Sequence, residues 1–247
     1  LANVKDYFSQ VFRPDQTVIV VIGKVIPKQA RQVIERYFGQ WTASGPKPNI
    51  LLPPVPANTP ASVAVPDASR VQDGVDLAET LGLTRSNPDY YALVLGNHVL
   101  GGGFYATRLY RELREETGLV YSVEVELQAN QTRALYAIEY ACDPDNVAKV
   151  HGIVERNLME MQSQMVNPDE LRQAKLMLLR RIPLSESSLQ SIAMGLINRS
   201  ILDLPPDEPI TAAKDYAAMT AEQVQAAFAR WVRPADLVQI TQGPLPK

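Results

Sequence analysis

Residues 100–128 read LGGGFYATRLYRELREETGLVYSVEVELQ, and the order of local signals in this stretch decides how the chain folds. Gly101, Gly102 and Gly103 open it. Residues without a β-carbon reach turn conformations that others resist. A charged helix is expected from about Tyr105 to Thr117. Gly118 then stands where a left-handed residue closes a helix, and strict alternation follows. Leu119, Tyr121, Val123, Val125 and Leu127 are expected on one face, with Val120, Ser122, Glu124, Glu126 and Gln128 on the other. The expected unit is a helix feeding directly into a half-buried strand.

Taken alone, these residues admit a bland account. Arg108, Arg111, Glu112, Arg114, Glu115 and Glu116 describe a solvated helix face whose pairs, three and four apart, contribute a few tenths of a kcal/mol each. Tyr121, on the apolar face of its strand, is then a core or core-edge residue.

The flanking elements follow from the same signals. Upstream, a strand-like segment covers about residues 72–83. A helix then starts with Asn87 as cap, Pro88 at its first position and Asp89 in its first turn, and it delivers the chain to the glycine turn. Downstream, a turn near residues 130–133 returns the chain as a second strand over residues 134–141, an antiparallel hairpin. Asp143-Pro144 caps a long helix whose apolar positions are Val147, Val150, Val154, Leu158, Met161 and Met165. Asn167-Pro168 starts another, with Leu171, Ala174, Leu178 and Ile182 inward until Pro183 interrupts it, and a further helix spans about residues 186–202.

The two ends of the chain repeat one another. Residues 228–243 lie on residues 8–23 at a constant offset of 220, with Phe, Arg-Pro, Val and Gly identical. A Thr220-Ala-Glu-Gln223 capping box enters the second copy. In the first copy, Arg13-Pro14 closes a helix over residues 3–12, Val18 to Ile22 is a continuous apolar strand needing cover on both faces, and a helix follows over Pro27 to Phe38. Seven prolines between Pro46 and Pro66 favour extended geometry. The expected organisation is a strand-helix remnant of a preceding homologous domain at residues 1–42, a linker at 43–66, and one complete domain at 67–247.

Composition excludes several classes. The chain has 247 residues, 46% hydrophobic, enough for a substantial core. Net charge is -3, with 24 basic and 27 acidic residues interleaved, which leaves no footprint for nucleic acid or an anionic membrane surface. No apolar run approaches the roughly 18 residues of a membrane helix. A single cysteine, Cys142, forms no internal disulfide and, with no histidine nearby in sequence, reads as strand-end packing. The first residue is Leu1 and no signal pattern follows it, so the chain is taken as mature or truncated.

The order Leu-Gly-Gly-Gly, then Arg108-Leu109, then Leu113-Arg114-Glu115, then Gly118-Leu-Val-Tyr-Ser122 resembles the second-half signature of the pitrilysin/insulinase-type zinc peptidases, the family of mitochondrial processing peptidase. The resemblance implies an α/β fold, an α+β sandwich in which a mixed, largely antiparallel sheet carries helices on one face, duplicated in each half of the protein. It also implies roles for an arginine and a tyrosine seven positions apart, here Arg114 and Tyr121. From the non-zinc half they reach the bound peptide and donate hydrogen bonds to its backbone or to the oxyanion forming at the scissile carbonyl.

The family takes its zinc on an H-x-x-E-H helix plus a later glutamate. This chain has two histidines, His98 and His151, and neither starts that motif or its reverse. His151 and Glu155 read as a surface pair, and His98 as a packed structural histidine. G-x-S-x-G, G-x-x-x-x-G-K-[ST] and G-x-G-x-x-G are also missing. The expectation is the non-catalytic half of a zinc metalloendopeptidase, with no cofactor of its own. Zinc is expected on a partner domain or subunit, an extended peptide as substrate, and a homo- or heterodimer as one arrangement. The alternatives are an inactive assembly subunit and a stand-alone peptide-binding module. The compartment stays unassigned, bacterial periplasm ahead of cytoplasm.

Overall fold

A computed structural model describes residues 1–49, 51–102 and 106–244. Its elements, in chain order, are α1 (Ala2–Val11), α2 (Pro27–Phe38), β1 (Ala61–Pro66), β2 (Asp73–Leu81), α3 (Tyr90–Leu100) and a π-helix (Tyr110–Glu116). There follow β3 (Val120–Ala129), β4 (Ala134–Cys142), α4 (Val147–Ser163), α5 (Pro168–Ser185), α6 (Leu189–Ile201), α7 (Glu208–Ala218), α8 (Ala221–Trp231) and β5 (Val238–Gly243). The chain divides into two compact units, Leu1–Leu52 with Pro183–Glu208, and Pro53–Ile182 with Pro209–Lys247.

The larger unit is built on one five-stranded sheet in the order β1-β5-β2-β4-β3. β1 and β5 are parallel and every other pair is antiparallel, the mixed and largely antiparallel sheet expected. Alternation along β2 and β4 sends Val75, Leu77 and Leu81 with Tyr136, Ile138 and Tyr140 to one face, all buried, and their neighbours to the other, where they are half-buried or exposed. α3, α4 and α8 cover that face. α3 and α8 approach so closely at Gly96 that a β-carbon there would lie 2.3 Å from Phe228 Cε2. The far ends of the same helices are tied by Asp89, which accepts hydrogen bonds from Arg230 (2.7 Å) and Trp231 (2.8 Å).

Several boundaries differ from expectation for local reasons. Asn87 caps a turn through its side chain, accepting from the Asp89 N–H at 2.9 Å, so α3 starts at Tyr90. Gln164 turns extended, which ends α4 at Ser163 and leaves Met165 exposed instead of inward. α5 does not stop at Pro183. The proline falls in its last turn, and the helix runs on to Ser185.

The proline-rich stretch read as linker ends in a strand, β1, because residues 61–66 pair with β5 in unbroken register. The repeat is equally visible and unequally completed. Both copies run helix, Arg-Pro, then a 3-10 turn, over Pro14–Gln16 and Pro234–Asp236. In the second copy the following residues form β5, hydrogen-bonded on both sides by β1 and β2. In the first copy residues 18–22 form no strand, and Val18, Ile19 and Val21 are exposed. A strand exists only by pairing its backbone groups, and no described residue in this unit supplies a ladder.

Candidate functional site

Gly103 and Tyr105, parts of the expected glycine turn and helix start, lie outside the described residues. Beyond them the helix takes the wider π spacing, in which the Thr117 N–H donates to the Glu112 carbonyl five residues back at 3.1 Å. Such turns recur at functional sites. Gly118 follows at φ +61°, and the Leu119 N–H closes the end on the Leu113 carbonyl at 2.9 Å, the left-handed cap expected there.

Two ion pairs hold this helix from beneath. Arg108 binds Glu170 of α5 through two bonds of 3.0 and 2.8 Å, and Glu112 accepts from Arg156 and Asn157 of α4. Burial works against ionisation at both carboxyls, and these hydrogen bonds outweigh it, so each is held below the usual carboxylate range. The solvated face expected from sequence is therefore half anchor. Arg111, Arg114, Glu115 and Glu116 remain outside.

The strand departs from strict alternation at one point. A register shift between Val120 and Val123 inserts an extra residue into β3 against β4, so Val120 turns into the core and Tyr121 out of it. The expectation that Tyr121 sits on the buried face is corrected: its side chain is 73% exposed. The bulge brings it under Arg114, whose guanidinium carbon lies 4.7 Å from the ring centroid. Among the described residues no hydrogen bond engages that guanidinium or the Tyr121 hydroxyl. The arrangement presents a cation and a phenol side by side, both with donors directed at solvent. Chemically it suits an anionic or carbonyl oxygen.

Two adjoining cavities lie beside this unit. One, of about 250 Å³, is lined by His98, Val99, Thr107, Ala174, Leu176 and Met177 among others. The second, about 510 Å³, shares His98 and Met177 and reaches Ser122, Val123 and Glu124 of β3. Burial, aided by Arg181, lowers the His98 pKa to about 4 and keeps the imidazole neutral. His98 is expected to be structural, and Met177 carries no expectation from sequence. No local signal marks either, since α3 and α5 meet only in the folded chain.

His151 does not pair with Glu155 as expected. Its Nδ1 lies 2.6 Å from Gln239 Oε1, across to β5. Cys142 is fully buried at the end of β4, and burial together with Asp73 and Asp143 raises its pKa to about 11, which suits packing and not nucleophilic attack. Among the described residues no three His, Cys, Asp or Glu side chains converge as a metal site.

The larger unit is thus an α/β domain with a five-stranded mixed sheet, a glycine turn and an exposed Arg–Tyr pair. The family model described as the peptidase M16 inactive domain matches residues 1–178, and the chain belongs to that family. It is similar to the uncharacterized zinc protease YmxG of Bacillus subtilis, 22% identical over 189 residues, covering 76% of this chain and 44% of that one. An uncharacterized zinc protease of Streptomyces coelicolor, SCO5738, is 31% identical over 93 residues, covering 38% and 20%. The chain thus spans less than half the length of either relative. Among solved structures, a peptidase M16 inactive domain from Pseudomonas fluorescens matches with a TM-score of 0.86 at 25% identity, covering 99% of this chain and 57% of that one. A protease from Helicobacter pylori matches with a TM-score of 0.87 at 13% identity, covering 99% and 59%, which speaks for the fold alone.

Proposed function

We propose that this chain is the non-catalytic half of a zinc metalloendopeptidase, and that Arg114 and Tyr121 hold an extended peptide and stabilise charge developing at its scissile carbonyl. The supporting observation is the 4.7 Å stack of two exposed side chains that no other group in the described residues engages. A guanidinium held by a ring face loses little freedom on meeting an oxyanion, so its hydrogen bonds act at the moment charge forms. Zinc and the activated water belong to another domain or subunit, in this protein or in a homo- or heterodimer partner.

The repeat supports the partner. Val224 and Phe228 are fully buried at 0% exposure, whereas Val4 and Phe8, at the same places in the first copy, are 67% and 57% exposed. Residues 1–42 complete a preceding domain of the same fold, which supplies the helix and strands that α3, β1 and β2 supply to the second copy.

The test is to assay the purified chain with zinc and a labelled extended peptide, alone and with its zinc-bearing domain or subunit. The expected result is peptide binding without cleavage until that partner is added. Cleavage by the chain alone would overturn the reading.

A further inference from the structure

The helix that carries Arg114 owes its exact placement to a residue of another element. Leu109 and Leu113 bury its inner side completely. Burial of apolar surface is non-directional, so these contacts hold the helix against the core without fixing its slide or rotation. Its register is left to polar groups. Arg108, two residues before the π-helix opens, meets Glu170 in the first turn of α5 through a fork, Nε to Oε1 at 3.0 Å and Nη2 to Oε2 at 2.8 Å. Such a fork constrains direction as well as distance.

Glu170 is itself held. Its Oε2 accepts a further bond from the Asn167 N–H at 3.1 Å, which ties the carboxylate to the backbone at the start of α5. The Arg108 and Glu170 side chains are 16% and 18% exposed, whereas Arg156, which meets Glu112 further along the helix, is 48% exposed. Water and salt loosen an exposed pair more than a sheltered one. The stiffer of the two fastenings is therefore the one at Glu170. Arg114 and Tyr121, by contrast, are both exposed, and a surface stack of that kind contributes little to placing the helix beneath it.

We propose that Glu170 is a positioning residue: through its fork to Arg108 it sets the register of the π-helix, and so keeps Arg114 over Tyr121 where both meet a peptide. The inference rests on the peptide-binding reading above and deepens it, naming a residue of α5 that acts on the site without touching substrate. Glu170 lies 62 positions from Arg108, so only the folded chain brings the two together.

Two measurements on Glu170→Gln test this. In the purified chain, the Arg114 side-chain protons lie over an aromatic ring, whose ring current displaces their NMR resonances; Tyr121→Leu supplies the undisplaced reference. Glu170→Gln should move the resonances most of the way to that reference. Asp169→Asn, one residue earlier and in an exposed pair with Arg172, should leave them where they are. In the complete assembly with its zinc-bearing partner, Glu170→Gln should lower kcat/KM about tenfold, since a small misplacement acts where charge develops. In an Arg114→Ala background the same change should cost nothing further, because a residue that acts through Arg114 then has nothing to position.

Arg114 resonances that stay displaced in Glu170→Gln would overturn the inference, and so would a tenfold loss repeated in full in the Arg114→Ala background. A lower unfolding midpoint with resonances and kcat/KM both unaltered would also overturn it, leaving the ion pair a matter of stability alone. If the resonances move as expected while Arg114→Ala leaves turnover intact, the peptide-binding reading falls and the placement of Arg114 by Glu170 stands without it.

Discussion

The Arg114 guanidinium lies over the face of the Tyr121 ring at 4.7 Å, although one residue sits in the last turn of a π-helix and the other occupies a strand bulge. A contact of this kind at the surface contributes about 0.5–1 kcal/mol, too little to explain either feature as a stabilising device. Exposed side chains also change fold stability little when removed. Arg114→Ala or Tyr121→Phe in the complete assembly should therefore lower turnover by roughly 10² while unfolding midpoints stay put. A shift in stability with turnover unaltered would assign the pair a structural role instead.

Gly118 sets the reversal that brings those two residues together, at φ +61°. An L side chain in that region costs about 1–2 kcal/mol, while asparagine tolerates it better. Gly118→Ala should lower stability by about that amount and reduce turnover as well, with Gly118→Asn restoring much of both. Denaturant titration and an activity assay on the two variants check this.

The α3–α8 contact makes a sharper demand. A β-carbon on Gly96 would sit 2.3 Å from Phe228 Cε2 and 2.8 Å from Val224 Cγ1, both in fully buried side chains. Gly96→Ala should cost about 1–3 kcal/mol through overpacking. Because the closest clash is with the Phe228 ring, Phe228→Leu in the same chain should recover part of that loss. Strict additivity of the two would show that they do not touch.

Glu79 gives the chain a pH dependence with a definite sign. Its carboxyl is fully buried, accepts both bonds from the Arg233 backbone N–H at 3.0 and 3.1 Å, and is raised by burial to a pKa of about 7. The folded state therefore holds this proton more tightly than the unfolded state, whose carboxyl titrates near 4.5. Stability should fall as pH rises between those two values, by up to about 3 kcal/mol, and level off above the upper one. Glu79→Gln should flatten the slope between pH 5 and pH 7.5 in chemical denaturation. An unchanged slope would locate the titration elsewhere.

Much of the sheet was readable because its signals are local and periodic. The hairpin over β3 and β4 follows from alternation either side of a turn, and the Gly118 cap from a glycine at the end of a charged helix. The Thr220–Gln223 capping box is present with both of its bonds. The errors share a different cause. Strand character at residues 18–22 and a linker through residue 66 both rest on composition, yet a strand is defined by its neighbours, and only the fold supplies them.

The candidate pair follows from the family resemblance, but the reason it is available lies in the fold. Strict alternation places Tyr121 in the core, and one extra residue between Val120 and Val123 reverses that. Nor did the chain order announce that Pro183–Glu208 groups with residues 1–52, since α5 runs across that boundary without a break.

By itself, the order of amino acids determined the β3–β4 hairpin and the Gly118 and Thr220 caps, because each depends on neighbours a few positions away, and it displayed the repeat at offset 220 as plain identity. Tertiary structure alone decided which strand is paired, which way Tyr121 faces, and that α3 and α5 line a common cavity. Those outcomes turn on hydrogen-bond ladders and close packing between residues far apart in the chain, whose energies exist only once the segments meet.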